Sequence, residues 1–346
     1  MKRVAINDFL KYSSSIPTLD VRSPGEYQTG HLPDSISFPL FSDAERAVIG
    51  TLYKQEGRQP AIKKGLEIVG PKMLGFVEQA EALQSDTLAL YCWRGGMRSE
   101  SMAWLLERYG LQTIVLEGGY KAYRNYQKAF YERPLPLCVL TGYTGSKKTE
   151  LLHLLQAKGA QVVDLEGLAR HQGSSFGNRK CKSQPSTEHF QNLIFETIRQ
   201  FDLQQTIWIE DESMRIGRVN LPEGLYRQMG RSAHVFLEIE KTERIDFLLE
   251  DYGQLDKELL ISATRSITRK LGTERAARAI ACIQAGDLRS AAAIILNYYD
   301  SRYHKSINAK KELICAHYRI RMPDLPRLAV ELSGQILQHE IPCSTD

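Results

Sequence analysis

The stretch TGYTGSKKTELLHLL, residues 141–155, determines the fold predicted for the second half of the chain. It follows the apolar run LCVLTG and nearly matches the phosphate-loop pattern G-x-x-x-x-G-K-[ST], with Gly142 opening it and Lys148 and Thr149 closing it. Lys147 stands where the pattern has its second glycine. If the backbone needs a positive φ there, a side chain costs about 1–2 kcal/mol. The stretch predicts a strand, a loop that binds phosphate groups, and a helix.

In such a loop, backbone N–H groups and the lysine ammonium surround the phosphates, and the Ser/Thr hydroxyl usually reaches a metal ion. Thr149 is therefore also a candidate ligand for Mg²⁺. The side chain of Lys147 can crowd the phosphate or add attraction for it, so ATP, a diphosphate or neither remains open as the ligand. The predicted phosphate or diphosphate site comprises Gly142, Gly145, Ser146, Lys147, Lys148 and Thr149.

A second candidate feature of this region is the acidic end of the apolar run TIWIEDES, at Glu210, Asp211 and Glu212. A carboxylate there can hold a metal ion or its water shell beside the phosphates. We predict Asp211 as the supporting residue and candidate Mg²⁺ ligand, with Arg215 and Arg218 following it to contact phosphate. The alternative is a solvated acidic strand end flanked by arginines.

The segment DLEGLARHQGSSFGNRKCKSQPSTEHF, residues 164–190, is rich in Gly, Ser, Arg and Lys between helical patterns. That composition favours a long loop that binds a polyanion or another substrate, although a solvated loop is the alternative for the single lysines. The predicted loop residues are Arg170, His171, Ser174 and Ser175, with Arg179, Lys180 and Lys182 as further cations.

The first half of the chain carries a cysteine loop, YCWRGGMRS, between a predicted strand and a predicted helix. Gly95 and Gly96 allow a tight turn whose N–H groups hold an anion beside the sulfur of Cys92, and the helix N-terminus adds positive potential. Arg94 and Arg98 reinforce that potential, which favours the reactive thiolate. Cysteine-dependent phosphatases share the spacing from Cys92 to Arg98, so the loop predicts an anion and a thiolate without naming the reaction.

Composition and length bound these interpretations. The 346 residues, 42% hydrophobic and with a net charge of only +4, predict about two globular domains and no general coating of polyanions. Two prolines in ERPLP interrupt a helical pattern, and we place the domain boundary there. The two predicted domains are residues 1–133 and 134–346. We find no signal-like segment and no membrane span, so a cytoplasmic location is expected. Strands and helices alternate on both sides of the boundary, which predicts parallel sheets, and the chain from residue 242 onward is predicted to be helical.

The first domain resembles the rhodanese family of persulfide-forming sulfurtransferases. LDVRSPGEYQTGHLPDSISFPL matches its N-terminal signature, and Cys92 falls at the catalytic position of the family. Asp20 and Arg22 are expected to form a structural ion pair, and His31 is expected to pin a loop by donating a hydrogen bond. The fold class is therefore α/β: a rhodanese-like parallel-sheet domain, then a P-loop NTPase-like α/β domain with a helical C-terminal part.

Across residues 4–303 the order of motifs resembles the tRNA 2-selenouridine synthase family. The motifs are YCWRGGMRS, LEGGYKAYR, LTGYTGSKKTELL, DLEGLARHQGSSFG, QPS, EDESMRIGRV and LNYYDSRY. This resemblance implies that selenium from selenophosphate replaces the sulfur of wobble 2-thiouridine in tRNA, through an S-geranyl intermediate made from geranyl diphosphate. It implies that Cys92 accepts selenium as an S-selanyl group, that no cofactor is tightly bound, and that the partners are tRNA and the two small substrates.

Two other classes of function remain open from the sequence. One is an NTP-dependent kinase or NTPase with an accessory rhodanese domain, and the other is a tRNA-binding module without catalysis. The substituted position at Lys147 weighs against efficient NTP hydrolysis, and the complete cysteine loop weighs against a decayed enzyme. Geranylation and selenation both remain open as the physiological outcome.

Overall fold

The computed structural model of the chain describes residues 1–171, 183–252 and 255–337. The chain divides into two compact units, residues 1–132 and 133–346. Each has a five-stranded sheet whose paired strands are all parallel. The predicted α/β class is confirmed.

The first unit has the strand order β1-β5-β4-β2-β3. Its strands are β1 (Lys2–Val4), β2 (Thr18–Asp20), β3 (Ile36–Ser37), β4 (Thr87–Tyr91) and β5 (Gln112–Leu116). Its helices are α1 (Ile6–Ser13), α2 (Pro24–Thr29), α3 (Asp43–Gln55), α4 (Arg58–Val69), α5 (Met73–Glu81), α6 (Met97–Tyr109) and α7 (Gly119–Phe130). Apolar residues of the central strands, such as Leu19, Leu90 and Val115, are buried, because helices cover a parallel sheet on its faces.

The second unit has the strand order β12-β11-β6-β8-β7, with β9 and β10 forming a separate hairpin. Its strands are β6 (Leu137–Gly142), β7 (Gln161–Val163), β8 (Ile207–Glu210), β9 (Arg215–Ile216), β10 (Val219–Asn220), β11 (Ala233–Ile239) and β12 (Ile314–Ile320). Its helices are α8 (Lys148–Ala157), α9 (Leu165–Ala169), α10 (Thr187–Ile198), α11 (Glu223–Met229), α12 (Lys241–Tyr252), α13 (Lys257–Ser266), α14 (Thr268–Leu271), α15 (Thr273–Ala285), α16 (Leu288–Ala309) and α17 (Leu325–Leu337). Strand β6 lies in the middle of the sheet. The phosphate loop directly follows β6, so it lies at the carboxyl edge of the sheet.

The C-terminal region is mainly helical as predicted, but β12 interrupts it and adds an edge strand beside β11. Exposure alternates along β12, with Ala316 and Tyr318 packed against the core and Cys315 and His317 exposed. A half-buried edge strand carries polar residues at every second position, so its apolar signal is weak. In the part of the chain that the structure describes, no helix is both long and apolar enough to cross a membrane.

Candidate functional site

The cysteine loop joins the end of β4 to the start of α6, as the sequence predicts. Cys92 is 3% exposed, and Gly95 has a φ of +63°. The Oγ of Ser99, in the first turn of α6, lies 3.3 Å from Cys92 Sγ and 3.1 Å from the carbonyl oxygen of Gly96. A hydroxyl at that distance can donate a hydrogen bond to a thiolate. Our sequence reasoning gave Ser99 no role.

The double glycine at the start of α7 packs against the backbone of the cysteine loop. The amide of Tyr120 donates to the carbonyl oxygen of Cys92 at 2.8 Å. Gly119 has a φ of +58°, and a Cβ there would lie 2.2 Å from that same oxygen and 2.4 Å from the nitrogen of Gly95. The backbones therefore approach so closely that only glycine fits. LEGGY was part of the family resemblance, but its contact with Cys92 was not predicted.

The two arginines of the loop differ in their surroundings. Arg98 pairs with Glu26 of α2 at 2.7 Å, while Arg94 is exposed. Burial alone would raise the pKa of Glu26, but hydrogen bonds and charge from Arg98 outweigh burial and hold this pKa below its usual value. Arg98 therefore ties the start of α6 to α2.

Residues of the rhodanese-like signature form a buried, hydrogen-bonded cluster at the end of β2. Arg22 donates to both carboxylate oxygens of Asp20, the shortest contact being 2.6 Å, and Tyr91 Oη donates to Asp20 at 2.8 Å. This confirms the structural ion pair. The Nδ1 of His31 lies 2.8 Å from the carbonyl oxygen of Tyr27, as expected of a donor that pins the turn.

The phosphate loop of the second unit has the predicted strand, loop and helix. Lys147 adopts φ +55° and ψ +36°, the left-handed conformation that the pattern assigns to glycine. Its ammonium pairs with Glu150 at 2.8 Å and lies 4.9 Å from the centre of the Phe247 ring. The Nζ of Lys148 donates to the carbonyl oxygen of Gly142 at 3.2 Å. The side chain of Lys147 is thus held by α8 and α12.

Inside the loop, Ser146 is 1% exposed and its hydroxyl has no hydrogen-bond partner among the described residues. A buried hydroxyl without a partner is costly, so it indicates a position where a ligand atom would be favourable. Gly142 leaves room for this hydroxyl, because a Cβ there would lie 2.8 Å from Ser146 Oγ and 2.6 Å from the carbonyl oxygen of Leu237.

A buried arginine that sequence reasoning missed donates a hydrogen bond to the backbone of the phosphate loop. Arg244 of α12 donates to the carbonyl oxygen of Thr144 at 3.1 Å and pairs with Asp300 of α16 through two 2.8 Å contacts. Asp300 belongs to LNYYDSRY, and in the same motif the ring centre of Tyr303 lies 5.9 Å from Lys148 Nζ. Helices α12 and α16 therefore contact the loop through these side chains.

Three carboxylates lie beside Thr149. Ligand oxygens of Glu166, Glu210 and Glu212 lie within 4.8 Å of one another, and Thr149 Oγ1 is 3.4 Å from Glu166 and 3.3 Å from Glu210. Burial raises the pKa of Glu210 well above its usual value, and the negative charges of Glu166 and Glu212 raise it further. Burial and the charge of Glu166 likewise raise the pKa of Glu212 to about 7. Hard oxygen donors of this kind fit a divalent cation such as Mg²⁺.

The neighbouring carboxylates also act on Lys148. Burial opposes its charge, but Tyr303, Glu212 and Glu166 favour the ammonium and together raise the pKa of Lys148. The loop therefore keeps a full positive charge beside the three carboxylates at neutral pH. Glu166 was not singled out from the sequence, although it lies in DLEGLAR.

The predicted supporting residues have partners outside the group of three carboxylates, or are exposed. Asp211 pairs with Lys310 at 2.7 Å and accepts a hydrogen bond from Thr141 Oγ1 at 2.8 Å, so it lies outside the group of three carboxylates. Arg215 Nε donates to the carbonyl oxygen of Gly217 in the β9–β10 hairpin, and Arg218 is exposed. The structure therefore places Thr149, and not Asp211, beside the candidate cation ligands.

Part of the predicted substrate loop can be located. Arg170 is exposed after α9 with φ +50°, and His171 is buried with Nδ1 unpartnered among the described residues. Burial lowers the pKa of His171. Gln184, from the motif QPS, links this turn to the hairpin by donating to the carbonyl oxygens of Ala169 and Ile216. Ser174, Ser175, Arg179, Lys180 and Lys182 lie outside the described residues.

Comparison with known proteins gives both units a family. Residues 7–126 match the rhodanese-like domain, and residues 135–321 match the tRNA 2-selenouridine synthase AAA domain. The chain belongs to the tRNA 2-selenouridine synthase family. The cysteine loop lies in the first match, and the phosphate loop with its three carboxylates lies in the second.

Relatives in this family align over much of the chain. The tRNA 2-selenouridine synthase of Shewanella woodyi is 32% identical over 87% of this chain and 90% of its own length. That of Shewanella pealeana is 32% identical over 90% of this chain and 93% of its own. That of Nitrosomonas europaea is 34% identical over 70% of this chain, and the match spans 64% of that relative.

Proposed function

We propose that this chain replaces the sulfur of wobble 2-thiouridine in tRNA with selenium from selenophosphate, through S-geranyl-2-thiouridine made with geranyl diphosphate. Membership of the tRNA 2-selenouridine synthase family is the observation that carries this proposal. The two candidate sites, one with a thiol and one with a phosphate loop, supply chemistry for both parts of the reaction.

The first step is assigned to the phosphate loop. The thiouridine sulfur attacks C1 of the geranyl group, the C–O bond breaks, and the diphosphate leaves with the bonding electrons. Lys148, the hydroxyl of Ser146 and the amides of the loop would bind that diphosphate. Glu166, Glu210, Glu212 and Thr149 would hold a divalent cation, which when bound neutralises charge on the diphosphate.

The second step is assigned to the cysteine loop. Alkylation makes the sulfur a better leaving group: selenium from selenophosphate bonds to C2 of the base, the C2–S bond breaks, and geranyl thiol leaves with the bonding electrons. Water cleaves the P–Se bond of the donor, and phosphate leaves. Cys92 is the proposed selenium acceptor, because its thiol lies in a glycine turn at a helix N-terminus with Ser99 Oγ at 3.3 Å. Arg94, which is exposed beside Cys92, is proposed to attract the anionic donor.

NTP hydrolysis is a second candidate, favoured by the three carboxylates beside Thr149. Nucleotide hydrolases also combine acidic metal-binding residues with a phosphate-loop lysine. Substantial release of phosphate from ATP without tRNA would favour this alternative.

Mass spectrometry of tRNA nucleosides tests the proposal. The full chain is incubated with 2-thiouridine tRNA, geranyl diphosphate and selenophosphate, each omitted in turn. Geranyl diphosphate alone should give the S-geranyl nucleoside, both donors should give 2-selenouridine, and selenophosphate alone should give neither. An unchanged nucleoside in every mixture would show that the proposal is wrong.

A further inference from the structure

A concentration of positive charge lies on the helical part of the second unit. Residues 265–278 contain five basic residues and one acidic residue, Glu274. This short stretch therefore carries a formal charge equal to the +4 of the whole chain, and charges elsewhere balance. We call it the α13–α15 basic surface; its residues are Arg265, Arg269, Lys270, Arg275 and Arg278.

The fold directs these side chains to solvent. The surface spans the last turn of α13, all of α14 and the first turns of α15. Ile267, Leu271, Ala276 and Ala279 pack into a shared apolar cluster, which leaves the intervening basic residues outside. All five basic residues are exposed. Arg275 and Arg278 are three residues apart on one helix, so they are neighbours on its surface.

Carboxylates of the described residues do not neutralise this surface. Some other exposed arginines of the unit have ion-pair partners, for example Arg289 with Asp246 and Arg321 with Glu243, whereas the five basic residues have none among the described carboxylates. Unpaired cations in one short stretch repel one another and attract a polyanion. Arginine also matches the geometry of phosphate oxygens.

The surface is connected to the phosphate-loop site within the same unit. Helix α15 packs along α16, and α16 carries Asp300 and Tyr303. Asp300 pairs with Arg244, which donates to Thr144 of the loop, and Tyr303 lies over Lys148. A polyanion bound on α13–α15 would thus lie on helices of which α15 packs directly against α16, and α16 contacts the proposed diphosphate site.

We propose that the α13–α15 basic surface binds the sugar-phosphate backbone of the tRNA substrate. The identity of the polyanion as tRNA rests on the proposed function. Phosphate contacts position a nucleic acid without reading its sequence, so this surface would bind tRNA whether or not the wobble base carries sulfur.

A pair of double variants tests the surface. Arg275→Gln/Arg278→Gln removes two of its charges, and Lys158→Gln/Arg327→Gln removes two exposed charges, one directly after α8 and one in α17. Both lower the net charge of the chain equally, and glutamine suits helices. Binding of an unmodified tRNA transcript is measured over a range of salt concentrations, and vesicles of phosphatidylserine and phosphatidylcholine serve as a second anionic probe.

The first variant should bind tRNA at least about tenfold more weakly, and its salt slope should fall by about 1.4–1.8, because each lost phosphate contact removes about 0.7–0.9. The control should resemble the unaltered chain. Equal affinity and slope for the two variants would overturn the proposal, as would loss of vesicle binding without loss of tRNA binding.

Nucleoside mass spectrometry on the same preparations separates this inference from the proposed function. A chain that modifies tRNA but binds it independently of Arg275 and Arg278 overturns the surface alone. A chain that binds tRNA through these residues but modifies no nucleoside supports the surface and contradicts the proposed function.

Discussion

Lys147 occupies a left-handed backbone conformation at a position where the phosphate-loop pattern has glycine. We predict that Lys147→Gly is more stable than Lys147→Ala by about 1 kcal/mol, because both remove the contact with Glu150 but only glycine removes the steric cost of positive φ. Scanning calorimetry of the two variants measures this difference. Equal stability would mean that the backbone at residue 147 is not strained.

The pair between Glu26 and Arg98 gives the first unit an acid-sensitive contact. The lowered pKa of Glu26 means that its contribution to stability is complete above its unfolded pKa of about 4.5 and is lost as pH falls through the folded value. Glu26→Gln should reduce the free energy of unfolding by about 1.5–3 kcal/mol at neutral pH, and the loss should shrink below pH ~4.5.

Chemical denaturation at a series of pH values checks this prediction. Glu78→Gln changes an exposed carboxylate of α5 and serves as the control, with little expected change at any pH. A deficit of Glu26→Gln that stays constant down to strongly acidic pH would contradict the assigned role of ionised Glu26.

At the scale of elements, the turn between β5 and α7 shapes the cysteine loop through its backbone. Gly119→Ala should destabilise the first unit by at least about 2 kcal/mol, because the added Cβ would lie 2.2 Å from the carbonyl oxygen of Cys92 and the backbone has positive φ. Gly75→Ala in α5 is the matched control, since its Cβ meets nothing within 4 Å. Calorimetry should show a loss for the first and no loss for the second.

Strand β12 shows why an element can escape prediction from sequence. Its residues ICAHYRI alternate in exposure at the sheet edge, and the surrounding segments are helical. The central strands β4, β6 and β8 are apolar runs and were predicted correctly, because burial on both faces of a parallel sheet requires an uninterrupted apolar segment.

At the scale of the whole molecule, the proposed reaction divides between the two units. Cys92→Ser should abolish selenium incorporation and leave S-geranyl-2-thiouridine to accumulate, since serine lacks the nucleophilic thiol. Lys148→Ala should lower geranylation about 100-fold or more, because the diphosphate loses its main positive charge. Nucleoside mass spectrometry with both donors measures the two products.

Chemically prepared S-geranyl-2-thiouridine tRNA provides the control. Lys148→Ala should convert it to 2-selenouridine with selenophosphate, and Cys92→Ser should not. If Cys92→Ser incorporates selenium at the normal rate, Cys92 is not the acceptor.

Sequence patterns were enough to predict the α/β class, the position of the cysteine loop, and the strand, loop and helix around Lys148. These features depend on apolar runs, glycines and helix starts within a few residues, so they can be read locally. Only the tertiary structure revealed the contacts of Glu166, Arg244 and Gly119, and placed Asp211 apart from the candidate cation ligands. Arg244 and Thr144 are 100 residues apart, and the order of strands decides which distant side chains meet.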